Sequence, residues 1–359
     1  MTDELKKLMA EFEKELAILK GRVDGLEAKV GTLEAQQFST TTKLSGLAIM
    51  TIGGTDVDGA DELSFNYDLR LNFLTSFTGK DLLKTTLRSG NFGNAYQDVG
   101  GLEYGYPQDT SIVEINRLFY QFPVGDFKFT LGAVVRQDDM LGMFPSLYPS
   151  DSMLDITTYA GARGAYNLTF GSGAGVTYSK DGFNASLLFV TPQDTAADQA
   201  DDNGLFSDAA MYTAQIGYAA EGWGVAAAYT GSDENNYEQY GLSAYWAPAT
   251  SGIIPSVSVG FGFGEVAGDD TSSWTVGLVW SDAFVKGNSL GFAVGAEGSI
   301  DPETEAPTGI KFEGTGDDEI VIEGYYKFQV TDNISVTPGA FYLEGSDIFG
   351  AVVKTTFTF

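Results

Sequence analysis

Beyond residue 37 five arginines fall at Arg70, Arg88, Arg117, Arg136 and Arg163, and none follows between Arg163 and the end at Phe359. A guanidinium stays charged at any physiological pH and offers five N–H donors, so a group of them holds anions or pairs with carboxylates. One long stretch, "RQDDMLGMFPSLYPSDSMLDITTYAGAR" (Arg136 to Arg163), carries the acids Asp138, Asp139, Asp151 and Asp155. Opposed rings of charge orient and screen solutes without forming a bond. Bond-making chemistry has little to work with. There is no His and no Cys, which removes imidazole bases, thiolates, disulfides and the commonest transition-metal ligands. No nucleophile motif is present, so neither an enzyme nor a cofactor is expected. A net charge of −29 makes nucleic acid an unfavourable partner.

Arg70, Arg88, Arg117 and Arg136 sit on or at the end of segments of period two, while Arg163 ends the long stretch. In "FNYDLRLNF" (Phe65 to Phe73), Phe65, Tyr67, Leu69, Leu71 and Phe73 face one way, while Asn66, Asp68, Arg70 and Asn72 face the other. Arg88 shares the polar phase of Lys84, and Arg136 that of Lys128. In "VEINRLFYQF" (Val113 to Phe122) the phase slips, because Val113 and Ile115 are out of step with Leu118, Tyr120 and Phe122. A bulge near Asn116–Arg117 restores it.

The chain from Phe38 onward reads as hairpins, and the sequence as a whole is rich in glycine (45) and in Phe and Tyr (25 and 18). Seven short turns alternate with eight longer or more polar connections, the latter near 53–61, 90–111, 137–160, 191–208, 231–236, 265–271, 299–318 and 344–348. Seven turns and eight loops close an antiparallel barrel of 16 strands. A lumen of that size is too wide for side chains to fill, so the apolar faces are expected to point to lipid and the polar faces to water. Aromatics near strand ends, among them Phe77, Phe122, Phe127, Phe183, Tyr218, Trp223, Trp246, Trp280, Phe284 and Phe328, fit an interfacial girdle. No run of 18 apolar residues is present for a transmembrane helix.

Residues 1–37 follow another rule. Met9, Leu16, Val23 and Val30 occupy heptad position a, and Leu5, Phe12, Leu19, Leu26 and Leu33 position d. The pairs Glu15–Lys20, Arg22–Glu27 and Lys29–Glu34 are opposite in sign between g and the following e, which suits parallel helices in a cyclic homo-oligomer. Val at a with Leu at d leans toward two strands, although a large attached domain overrides such a lean. The domain division expected is therefore 1–37, a coiled-coil spacer, and 38–359, the barrel.

The join "RVDGLEAKVGTLEAQQFSTTTKLSG", the pair "NRLFYQFPVGDF" and the terminal Phe359 together resemble the major outer-membrane porins of cyanobacteria, which are similar to the carbohydrate-selective porin (OprB) family across their barrel. The resemblance implies a homotrimer in a Gram-negative-type outer membrane with the coil in the periplasm. It also implies a wall-gripping S-layer-homology domain ahead of the coil, outside the sequence given. In porins of this shape the third loop folds into the lumen. Asp138, Asp139, Asp151 and Asp155 are then expected to face Arg70, Arg88, Arg117, Arg136 and Arg163 across a constriction. Small hydrophilic solutes and inorganic ions are the expected permeants. A sugar channel is the alternative, with Phe119, Tyr104, Tyr106, Tyr148 and Tyr159 as candidates for a stacking ladder, and a mainly structural envelope tether is a third reading. The acidic external loops, with Asp201, Asp202, Asp317 and Asp318, are expected to meet lipopolysaccharide or to hold cations weakly.

Overall fold

The computed structural model describes residues 2–36, 41–59, 61–93, 95–106, 112–200, 202–250, 252–297 and 319–359. It divides into two compact units, residues 1–44 and 45–359. The first holds one helix, α1 (Asp3–Gln36), 34 residues long and on the order of 50 Å from end to end. A proline-free run of Glu, Lys, Leu and Ala favours that helix. The seam residues Leu5, Met9, Phe12, Leu16, Leu19, Val23 and Leu26 are all exposed on it, while Val30 and Leu33 continue the helix backbone. Residues 37 and 38, where the two domains are expected to divide, lie outside the described residues.

The second unit contains 16 strands: β1 (Thr42–Thr55, its first residues in the helical unit), β2 (Ser64–Thr75), β3 (Leu82–Gly90), β4 (Glu114–Val124), β5 (Phe127–Arg136), β6 (Phe170–Lys180), β7 (Phe183–Pro192) and β8 (Met211–Ala220) form the first half. The second half is β9 (Trp223–Ser232), β10 (Tyr237–Trp246), β11 (Ser256–Val266), β12 (Asp269–Ser281), β13 (Ser289–Glu297), β14 (Glu319–Thr331), β15 (Ile334–Leu343) and β16 (Ile348–Thr358). Each strand pairs with its chain neighbours, and β1 pairs with β16 from Leu47↔Thr358 to Thr55↔Gly350, closing the barrel. At the seam the Phe359 amide donates to the Gly46 carbonyl at 3.0 Å and the Gly46 amide to the Phe359 carbonyl at 2.6 Å. Closure leaves no open sheet edge, as hydrocarbon requires.

The fifteen connections fall as seven on the end where β1 begins and β16 finishes and eight on the other. Their lengths are less regular than the sequence suggests. The polar stretch 265–271 is mostly strand, with only Ala267 and Gly268 between β11 and β12, both at positive φ. Ala247 to Pro255, on the side of short turns, is longer. The strands run past the apolar band, so polar composition there marks where the membrane ends and not where pairing ends. The expected bulge is observed: Thr86 pairs with Arg117 and Leu87 with Ile115, leaving Asn116 as the extra residue.

Outward faces carry the large apolar residues, such as Phe65, Leu131, Leu187, Ile216, Leu242 and Phe261, all exposed. At the rim where β1 begins and β16 finishes, Phe77, Tyr120, Phe122 and Phe129 touch in succession, as do Phe127, Tyr178 and Phe183, and then Tyr218 and Trp223. These rows build a belt at one interface. Inward faces carry buried Thr130, Thr177, Thr213, Gln215, Thr230, Gln239 and Ser258.

The lumen is not simply water-lined. Residues 92–104 of the connection between β3 and β4 (loop 2), taken over their described positions, and the connection 137–169 (loop 3) fold inside. Phe92, Val99 and Leu102 of loop 2 pack with Met153, Leu154 and Ile156 of loop 3 against Ile49, Val321, Phe341 and Val352 of the wall. A second cluster sets Met140, Ala160, Ala162 and Tyr166 of loop 3 on Phe119, Val135, Leu188 and Val190. Inward apolar residues on the wall therefore mark where the loops land.

Candidate functional site

The polar phase of β2 to β5 brings four arginines onto one sector of the inner wall. Arg70 and Arg88 stand directly opposite each other in the β2–β3 register, a placement that repels unless an anion lies between them. Asp68 supplies it and is 0% exposed. Its Oδ1 accepts from Arg70 Nε at 3.0 Å, and its Oδ2 accepts from Arg88 Nε at 2.8 Å and from Arg88 Nη2. Both guanidiniums also donate to the Tyr104 carbonyl of loop 2, at 3.2 and 3.1 Å. Arg88 lies over the Tyr106 ring at 4.5 Å.

One strand on, Arg117 is aimed by the bulge. Its Nη1 donates to the carbonyl (2.7 Å) and side chain (3.1 Å) of the extra residue Asn116, and its Nε to Asp139. Lys84 approaches the same Asp139 at 3.6 Å. Arg136 closes β5 with a two-pronged pair to Asp138, at 2.7 and 2.6 Å, while its amide donates to Asp139 at 3.0 Å. Side chains of Arg70, Arg136 and Asp138 are each 27% exposed, unlike the sealed Asp68. Partly desolvated charges of this kind act on a passing ion more strongly than fully hydrated ones.

Glu103 of loop 2 lies within electrostatic reach of Arg136 and Arg70, and it is hydrogen-bonded to a carboxyl of the other loop, Asp155. Loop 2 and loop 3 are joined beside them by the Leu102–Leu154 bridge and by the Glu103 amide on the Met153 carbonyl at 3.0 Å. Desolvation, then the adjacent Asp155 carboxylate, holds Glu103 well above the ordinary carboxylate range, with Arg136 and Arg70 pulling the other way. Glu103 therefore ionises only as pH rises through that raised value, adding negative charge opposite the arginines. Preference for cations is expected to grow with pH above the ordinary range of about 4 to 5, and Glu103→Gln is expected to flatten that part of the curve. Reversal potentials in asymmetric KCl across pH measure it, and an unaltered curve in the variant would contradict the assignment.

Several residues sit elsewhere than the sequence suggests. Asp138 and Asp139 do not face the arginines across the lumen; they follow β5 directly, in the 3₁₀ turn Gln137–Met140, and pair on the same wall. Asp151 pairs with Lys354 of β16 at 3.4 Å, and not with an arginine. Arg163 is not on the wall with the other four: it rides on loop 3, over the Tyr159 ring at 5.3 Å, with its amide on Ser273 of β12 at 3.2 Å. Of the aromatic candidates, Phe119, Tyr104, Tyr148 and Tyr159 are buried and Tyr106 is covered by Arg88, so none forms an open stacking ladder. Asp202 is exposed in the connection after β7, whereas Asp201, Asp317 and Asp318 lie outside the described residues. Among the described residues no group of acids is arranged to hold a metal. Sequence reading passes over Asp68, Glu103, Glu323 and Lys354 as site residues. Only Asp68 carried a signal, its shared phase with Arg70.

Comparison with known proteins places this geometry. The chain is similar to an uncharacterized protein of Nostoc sp., 29% identical over 425 residues that cover 99% of this chain and 72% of that one. An uncharacterized protein of Synechocystis sp. is 28% identical, covering 94% and 71%. Among solved structures, Pseudomonas putida OprB at high pH superposes with a TM-score of 0.64 at 14% identity, over 89% of this chain and 94% of that one. A mutant of the Rh. blastica porin gives 0.53 at 14% identity, over 89% and 100%. These likenesses at low identity concern the barrel fold. The description "Carbohydrate-selective porin, OprB family" matches residues 2–346: the chain belongs to that family and is an outer-membrane porin.

Proposed function

We propose that the chain passes small hydrophilic solutes and inorganic ions passively through a narrow, charge-lined slot. The slot is bounded by Arg70, Lys84, Arg88, Arg117 and Arg136 on one side and by Glu103, Asp155 and the folded loops on the other. The observation that carries this reading is the clustering of four wall guanidiniums on adjoining strands, with Arg70 and Arg136 still part-exposed. Fixed charges on both sides of a wet passage select by sign and dipole.

The family's description favours a carbohydrate channel as the second reading. Sugar selectivity through ring stacking needs exposed aromatic faces, and of the aromatics named above four are buried and Tyr106 is covered by Arg88. Oriented arginine donors remain available for hydroxyl groups. We further propose a homotrimer with α1 as its parallel coiled coil in the periplasm, leading toward the cell wall through an upstream domain. The exposed apolar seam and its opposite-sign flanks support that part.

One recording tests the proposal. Insertion into a planar bilayer in asymmetric KCl is expected to give ion conductance in three equal steps, with slow swelling of liposomes in mono- and disaccharides. Sugar permeation as fast as that of salt would favour the carbohydrate reading. A single step per insertion would remove the trimer.

A further inference from the structure

Loop 3 is held by the barrel far from where it begins. After leaving β5 it runs along the inner wall: the Thr177 hydroxyl of β6 donates to the Met140 carbonyl (2.8 Å), and Gln215 of β8 to the Met143 carbonyl (3.1 Å). The Leu147 amide donates to Ser258 of β11 at 2.8 Å. On its way back, Ser243 of β10 donates to the Ala160 carbonyl and Thr230 of β9 to the Ala165 carbonyl, each at 2.7 Å. The outermost excursion, from Tyr148 to Leu154, rests on β14, β15 and β16.

Two charged side chains meet it there. Glu323 of β14 is 1% exposed and Lys354 of β16 is 5% exposed. Glu323 accepts from the Tyr148 hydroxyl at 2.7 Å and from the Leu154 amide at 2.8 Å. Lys354 donates to the Asp151 carbonyl and, at 3.4 Å, to the Ser152 carbonyl and the Asp151 carboxylate. Its ammonium also stands over the Tyr104 ring of loop 2 at 4.6 Å. Among the described residues, every hydrogen-bond partner of these two side chains belongs to loop 3. Buried charges bind where they are paired and hydrogen-bonded, so what they stabilise is the seating of the loop, and neither is placed to touch a permeant.

We propose that Glu323 and Lys354 are positioning residues that clasp the tip of loop 3, and thereby fix the width of the slot from a part of the wall that does not line it. The proposal rests on the reading above, that loop 3 bounds the pathway. Without the clasp the tip loses its charged anchors and retains only weaker neutral contacts, so the passage widens or fluctuates.

The test uses the full-length chain in planar bilayers, with heat-modifiable gel migration and circular dichroism to confirm a folded barrel. Lys354→Met and Glu323→Gln are each expected to raise unitary conductance about two-fold or to split it into substates, since conductance follows the narrowest section. Lys354→Arg is expected to restore the parent level. Tyr148→Phe removes one donor to Glu323 without changing volume and is expected to shift conductance the same way, but less; it decides the matter should the charge variants not fold. Folded variants with parent conductance and a steady open level would overturn the clasp. Arg70→Ala with Arg136→Ala separates the two claims. If that pair leaves the reversal potential unmoved while the clasp variants alter conductance, the charged slot fails and the clasp stands. The converse pattern removes the clasp alone.

Discussion

Replacing Arg70 and Arg136 together with alanine is expected to move the reversal potential several-fold in permeability ratio toward cations, while the barrel still forms. The two substitutions differ in what they leave behind. Asp68 keeps Arg88 when Arg70 is removed, so its buried carboxylate remains paired. Asp138 loses its two-pronged partner when Arg136 is removed and contributes an uncompensated negative charge at a part-exposed position. A unit charge about 6 Å from a passing ion is worth ~0.7 to 3 kcal/mol between bulk-water and near-surface screening, which is how two such charges alter selectivity several-fold or more. High salt is expected to shrink the effect. Two comparisons sharpen the result. Arg163→Ala is expected to leave selectivity nearly unchanged, because that side chain rides on loop 3 over Tyr159. Removing Arg117, which is bonded to Asn116 and Asp139 and 9% exposed, is expected to disturb the bulge first. Equal reversal potentials in the parent and the double variant would exclude these arginines from setting the field of the pore.

The reasons the arginines were legible and their partners were not are physical. Phase along a strand is local, so the alternation in "FNYDLRLNF" puts Arg70 on the polar face without knowledge of any neighbour. The phase slip at Asn116 is equally local, and the register shows the extra residue there. Pairing is not local. That Asp68 serves both Arg70 and Arg88 follows from a cross-strand register between β2 and β3, and the Lys354–Asp151 contact joins residues 203 apart. Arg163 lies on a segment without period two, which has no phase to say which way its side chain faces. The aromatics failed for another reason. Tyr104 and Tyr148 belong to the two inserted loops and turn onto the wall, at Thr51 and Glu323, and a sequence pattern does not distinguish an open lumen from one filled by its own connections. The strands facing those loops nonetheless carry a mark. In "SVSVGFGFGEV" (Ser256 to Val266) Phe261 and Phe263 point out, while Gly260 and Gly262 take the inward phase where Ser or Thr is usual elsewhere on the wall.

That glycine track leads to the second large effect, expected from Gly260→Val. A Cβ built on Gly260 would stand 1.7 Å from the Ala160 carbonyl oxygen and 3.0 Å from Gly161 Cα, and a Cβ on Gly161 would meet the Gly260 backbone at 2.4 Å. The obstacle is main chain on both sides, so no rotamer change relieves it and loop 3 must move bodily. Gly161 is at φ +75°, a conformation that favours glycine, which limits how the loop adjusts at that point. Overfilling a packed site costs about 1 to 3 kcal/mol, and lifting the loop also breaks the Ser243 bond to the Ala160 carbonyl and the Ser273 bond to the Gly161 carbonyl. A closed 16-stranded barrel has ample pairing to survive a loss of that size. The expected phenotype is therefore a folded barrel whose loop 3 is displaced from β11, seen as altered conductance and faster proteolysis between Tyr159 and Arg163. Gly252→Val is the control, since that glycine, in the long turn Ala247 to Pro255, has open space around its Cβ. If Gly260→Val leaves both conductance and protease resistance at parent values, close seating of loop 3 on β11 does not limit the pore.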